Sequence, residues 1–145
     1  MVDATNPTIL VLCTGNSARS QMAEGLLRSH LGGRFDVVSA GTQPSIVRPE
    51  AIAVLAEVGI DISGNRSKSV SEFDGRDIDY VLTVCDNAKE NCPYFPAKTR
   101  LVHHAFDDPA EIEGDPETRV ESFRNVRDKI EVYIKSDFVP NVLGL

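Results

Sequence analysis

Apolar positions along this chain fall into short unbroken runs that alternate with stretches of helical period. Thr8-Ile9-Leu10-Val11-Leu12 is continuous and rich in β-branched residues, the pattern of a strand buried on both faces of a parallel sheet. From Ser20 to Leu31 the apolar positions Met22, Ala23, Leu26, Leu27 and Leu31 recur at helical spacing, and Gly32-Gly33 ends the segment. Asp36 to Ala40 predicts a second strand closed by Gly41. Pro49 to Val58 predicts a second helix, with Pro49 in its first turn and Gly59 just past its end. Tyr80 to Val84 and Leu101 to His104 predict a third and a weaker fourth strand. Asp115-Pro116-Glu117 then opens a long helix whose apolar stripe is Val120, Phe123, Val126, Ile130, Tyr133 and Ile134.

Strands alternating with helices predict an α/β fold: an open four-stranded parallel sheet flanked by helices on both faces. No internal repeat or long linker divides the chain, so residues 1–145 are expected to form a single domain. The polar stretch from Ser63 to Arg76 predicts a mobile loop with a short helix.

Composition narrows the function. Fifteen basic residues against 22 acidic ones give a net charge of −7, which argues against a nucleic-acid partner. No apolar run is long enough to cross a bilayer, and the N-terminus lacks the pattern of a secretory leader, so no membrane role is expected. The 3 cysteines are too few and of the wrong parity for a disulfide-stapled scaffold. They suit redox or nucleophilic chemistry in a reducing, cytoplasmic setting.

The first cysteine opens the loop Cys13-Thr14-Gly15-Asn16-Ser17-Ala18-Arg19-Ser20, between the first strand and the first helix. Such a loop aims several backbone N–H groups at one point, and the helix dipole favours negative charge there. Gly15 and Asn16 tolerate the backbone conformations a nest of N–H groups needs. Arg19 can grip an oxyanion through two parallel N–H bonds. The same field favours the thiolate form of Cys13, a nucleophile. Ser20 either donates to that thiolate or caps the helix.

Cys85 follows the third strand as Cys13 follows the first, and ligands of open parallel sheets bind beyond the carboxyl ends of the strands. Both thiols are therefore expected at one sheet edge. Cys92 stands seven residues beyond Cys85. If that segment is helical the two α-carbons are about 10.5 Å apart, beyond the roughly 7 Å a disulfide tolerates. Joining them would require the segment to loop out. Asp107-Asp108-Pro109, after the fourth strand, puts a carboxylic acid on the same edge, where it can protonate an oxygen leaving a tetrahedral centre. His103 and His104 fall on opposite faces of a strand and His30 on a helix, so neither set predicts a metal site.

The segment Cys13 to Gly25, CTGNSARSQMAEG, resembles the phosphate-binding loop of the low-molecular-weight protein tyrosine phosphatase superfamily, and SARSQMAEG resembles its arsenate reductase branch. The resemblance extends through Val38-Ser39-Ala40-Gly41-Thr42, Gly59-Ile60-Asp61 and Phe106-Asp107-Asp108-Pro109. It implies that Cys13 attacks arsenate, that Cys85 then attacks Cys13 and releases arsenite, and that Cys92 resolves the resulting disulfide by exchange. It implies thioredoxin as the reductant, with glutaredoxin and glutathione as the other possibility, an arsenate or phosphate oxyanion held by residues 14–20, and no cofactor. It also points to Asp108 rather than Asp107 as the acid.

Three departures bear on this reading. Ala110-Glu111 follows the acid where tyrosine phosphatases of the superfamily usually carry tyrosines, and Ala18 precedes the Arg where eukaryotic members often have a second Cys. Some reductases hold a potassium ion through Asn, Glu, Ser and Asp. Asn16, Glu24 and Ser39 match those positions, but Lys68 stands where the Asp falls, so no ion is expected. Two other functions remain open: a phosphatase working through a Cys13 phospho-enzyme, and a non-catalytic redox or oxyanion sensor.

Overall fold

The computed structural model describes residues 6–86 and 94–145. Strands β1 (Thr8–Cys13), β2 (Asp36–Gly41), β3 (Tyr80–Thr83) and β4 (Arg100–His103) form one sheet in the order β2-β1-β3-β4. Every pairing is parallel, as the unbroken apolar runs predict. The boundaries shift slightly: β1 continues to Cys13, which pairs with Gly41, while β3 stops at Thr83.

Helices α1 (Arg19–Leu31), α2 (Pro49–Ala56) and α3 (Pro116–Tyr133) share one core with Ile9, Val11, Cys13, Leu82, Val84 and Cys85. Leu10, Leu12 and Val81 point to the other face, against Phe73, Ile78 and Phe95. Cover is thus present on both faces but unequal: three α-helices on one, the 3₁₀ turn Val70–Phe73 on the other among the described residues. Pairing alternation explains the division, since successive residues of β1 face opposite sides.

Asp115 opens α3 by accepting from the Thr118 N–H at 2.8 Å, with Pro116 in the first turn. The helix does not stop where its apolar stripe ends. It runs on as a wider, π-wound segment, Ile134–Leu143, with Pro140 inside it and Ile134, Phe138 and Val139 buried. Burial of those side chains outweighs the hydrogen bond that the proline cannot make. Among the described residues no helix is long and apolar enough to cross a membrane.

Candidate active site

The β1–α1 loop leaves the sheet at Cys13 and enters α1 at Arg19. No side chain caps α1 and no acid stands in its first turn, so its N-terminal field is open to an anion. Ser20 therefore does not act as the cap. Its Oγ lies 2.9 Å from Cys13 Sγ, and the Asn16 N–H donates to that sulfur at 3.2 Å.

Asn16 is the hinge of the loop. Its φ of +47° puts it in the left-handed region, whereas Gly15 does not adopt a positive φ. The Asn16 amide donates through Nδ2 to Ser20 Oγ at 2.8 Å and to Ser39 Oγ at 2.9 Å, and Ser39 in turn donates to Glu24 Oε1 at 2.8 Å. Its Oδ1 accepts from the Lys68 backbone N–H at 2.9 Å and from Gln21 Nε2 at 3.0 Å. A backbone donor fixes which end of the amide is oxygen. Ser20 accepts from Asn16, which frees its own proton for the sulfur. Hydrogen bonds running in one direction in a buried site reinforce one another.

The loop is also braced from outside. Gln43 N–H donates to the Thr14 carbonyl, and Ser67 Oγ donates to the Gly15 carbonyl, both at 2.9 Å. Gly41 passes so close that a Cβ there would lie 2.4 Å from the Thr14 carbonyl oxygen.

Arg19 is buried and spans the site. Its Nη1 donates to the Phe106 carbonyl at 3.2 Å, and its Nη2 lies 3.6 Å from Asp108 Oδ2. Asp108 Oδ1 accepts from the Ala110 N–H at 3.0 Å, which fixes the carboxyl group while leaving its side chain 27% exposed. Cys13, Thr14, Gly15, Ser17, Ala18, Arg19 and Asp108 together line a pocket of about 180 Å³. Asp107 does not line it. A sulfur nucleophile, an arginine and a carboxylic acid thus face one small volume, an arrangement able to seat a tetrahedral oxyanion and transfer a group to sulfur. A larger cleft of about 560 Å³, between His104–Asp107 and Asp128–Asp137, has no cysteine among the described residues that line it.

Cys85 is fully buried in the same core as Cys13. The Val84 N–H donates to the Leu12 carbonyl at 2.9 Å, continuing the β1–β3 ladder, so Cys85 follows just beyond the level of Cys13 on the neighbouring strand. Cys92 and the question of whether 85–92 is helical lie outside the described residues.

Residues 8–138 match the family described as Low molecular weight phosphotyrosine protein phosphatase. The chain belongs to that family. A curated arsenate reductase of Halalkalibacterium halodurans is 44% identical over 128 residues, which is 88% of this chain and 92% of that protein. Among solved structures, an arsenate reductase in an oxidized state is 32% identical, with a TM-score of 0.73, covering 88% of this chain and 93% of the other. A thioredoxin-dependent arsenate reductase of Corynebacterium glutamicum is 29% identical with a TM-score of 0.66, covering 93% of this chain and 63% of that one.

Within this low molecular weight phosphatase family site, the potassium position carried by some reductases does not suit the residues present. Lys68 brings its Nζ to 4.0 Å from Glu24 Oε1 and donates to the Arg66 carbonyl at 3.1 Å. Burial pulls the Lys68 pKa below the ordinary lysine value, and the nearby Glu24 carboxylate pulls it back up. A fixed ammonium therefore stands beside the carboxylate that a cation would neutralise.

Sequence reasoning missed several supports. Asn65 donates to Gln21 Oε1 at 3.0 Å and to Glu24 Oε2 at 2.9 Å, so the stretch read as a mobile loop carries part of the buttress. The available signal was polar Gln21 and Glu24, three apart on a helix face, which are both buried. The Phe106 carbonyl beneath Arg19 left no sequence signal. His103 Nδ1 instead meets Thr83 Oγ1 at 2.6 Å, and the His104 ring stacks on Tyr133 at 4.1 Å.

Proposed function

We propose that this protein reduces arsenate to arsenite through Cys13, Cys85 and Cys92, in the cytoplasm, with thioredoxin as the reductant. The observation that carries the reading is a Cys13 sulfur held by Ser20 and Asn16 at the floor of the Arg19–Asp108 pocket. Buried Cys85 in the same core and the 44% identity to an arsenate reductase support it.

In the first step the Cys13 thiolate attacks arsenic(V), an S–As bond forms, and Asp108 in its protonated form gives a proton to the departing oxygen. Residues 14–20 and Arg19 hold the remaining oxygens. In the second step the Cys85 thiolate attacks Cys13 Sγ. The new S–S bond forms as the S–As bond breaks, and its electron pair stays on arsenic, which leaves as arsenite. Cys92 then attacks Cys85 and returns Cys13 as a thiolate. The disulfide left behind accepts two electrons from the dithiol of thioredoxin.

The test is arsenate-dependent NADPH oxidation in the presence of thioredoxin and thioredoxin reductase, with glutathione and glutaredoxin as the parallel arm. Turnover in the first arm alone is expected. Turnover only in the second would replace the reductant, and none in either would overturn the reductase reading. Hydrolysis of phosphate monoesters through a Cys13 phospho-enzyme is the second reading, favoured by the family itself.

A further inference from the structure

Arg48 stands one residue before α2, and its backbone N–H donates to the Ser17 carbonyl at 2.9 Å. Ser17 lines the oxyanion pocket, so the segment carrying Arg48 is tied directly to the pocket wall. Arg48 itself does not line the inner cavity; it is one hydrogen bond outside it.

Its side chain is the exception among the arginines. Arg28, Arg66, Arg119, Arg124 and Arg127 meet carboxylates, and Arg19 faces Asp108. Arg34 and Arg100 donate to carbonyl oxygens, and Arg76 lies over the Phe73 ring. Arg48 Nε is buried and has no hydrogen-bond partner among the described residues. The side chain does not cap α2 either. A half-buried guanidinium with an unmatched N–H is costly unless an acceptor arrives. In a chain of net charge −7, a guanidinium with one unmatched N–H, on a segment bonded through its backbone to the loop, has a plain candidate for that acceptor.

We propose that Arg48 is a second oxyanion-holding arginine at the mouth of the pocket, which takes an incoming arsenate or phosphate ion before it seats under Arg19. This rests on the reading that the pocket receives a tetrahedral oxyanion. Arg48 acts on affinity: it offsets the repulsive field of the whole protein where the ion enters.

The experiment measures binding of inorganic phosphate to the reduced full-length chain by titration calorimetry. Arg48→Gln is expected to weaken binding about three- to tenfold and to flatten its dependence on ionic strength. Arg48→Lys keeps the charge but not the fork and is expected to fall between the two. Arg34→Gln, which removes the same charge at a distance, is expected to bind as the unsubstituted chain does. Unaltered affinity in Arg48→Gln, or equal weakening in Arg34→Gln, overturns the proposal. If Arg48→Gln lowers the melting temperature, Arg48→Lys decides: with the fold intact, intermediate affinity upholds the role, and affinity as low as that of Arg48→Gln overturns it. Absence of phosphate and arsenate binding by the unsubstituted chain overturns the oxyanion reading, and the role of Arg48 with it.

Discussion

Ser20 Oγ sits between Asn16 Nδ2, 2.8 Å away, and Cys13 Sγ, 2.9 Å away, so one hydroxyl accepts from the loop and turns its proton toward the sulfur. That arrangement aims a hydrogen-bond donor at the Cys13 sulfur from within the loop.

Ser20→Ala removes this donor and leaves the Asn16 amide short of an acceptor. A hydrogen bond to a charged group contributes about 1.5–3 kcal/mol. Alkylation of Cys13 by iodoacetamide at pH 7 should therefore slow about tenfold or more. An unchanged alkylation rate would remove Ser20 from the account of thiolate formation.

Gly41→Ala tests the close approach of β2 to the loop. A Cβ would lie 2.4 Å from the Thr14 carbonyl oxygen and 2.9 Å from the Asn16 nitrogen, both backbone atoms. Overpacking of this kind costs about 1–3 kcal/mol. We expect a lower melting temperature together with loss of phosphate binding, measured on the same sample. Intact phosphate binding would mean that the loop yields more easily than its bracing implies.

Cys92→Ser separates the relay from a simple phosphatase. One equivalent of arsenite should still form in a single turnover, whereas steady turnover with thioredoxin should stop. Sustained turnover would exclude Cys92 as the resolving thiol. Cys85→Ala should abolish arsenite formation altogether while sparing hydrolysis of p-nitrophenyl phosphate.

The acid limb of stability should carry a signature of Glu57. Hydrogen bonds from Arg124 and then Arg127 lower its pKa to about 2. Its folded value lies below the ordinary carboxylate value, so its contribution is present above about pH 4.5 and is lost as pH falls toward 2. The pair is exposed, and salt screens it. Glu57→Gln should lower the melting temperature at pH 6 and low salt, and the difference should vanish near pH 2. A difference that persists at pH 2 would point to packing between α2 and α3 instead.

Much of this architecture was readable from residue order because its causes are local. Thr8–Leu12 reads as a two-sided buried strand, and a Cys-to-Arg loop between such a strand and a helix suits an oxyanion. Lys68 could be flagged as a departure, because one residue type had replaced another of opposite charge. The roles of Asn65 and Ser67 were not legible, since a polar loop residue looks the same whether it meets water or a carbonyl 52 residues away in sequence, as Ser67 meets Gly15. The α3 extension was hidden by Pro140, whose local preference for stopping a helix is overridden by tertiary burial of Phe138 and Val139. Arg48 escaped for a related reason: an orphaned N–H is a property of surroundings, which no spacing encodes.

The bracing of the Cys13 loop has a consequence for the life of the chain before it is folded. The contacts that hold residues 13–20 come from Ser39, Gly41, Gln43, Ser67, Lys68 and Phe106, spread over most of the sequence. A fragment that ends before the third strand lacks the β3 partner of β1 and the Phe106 carbonyl that holds Arg19. During synthesis the surroundings of Cys13 are therefore incomplete until the last of these segments docks. The site around this sulfur is a product of the whole fold, and the half-made chain does not possess it.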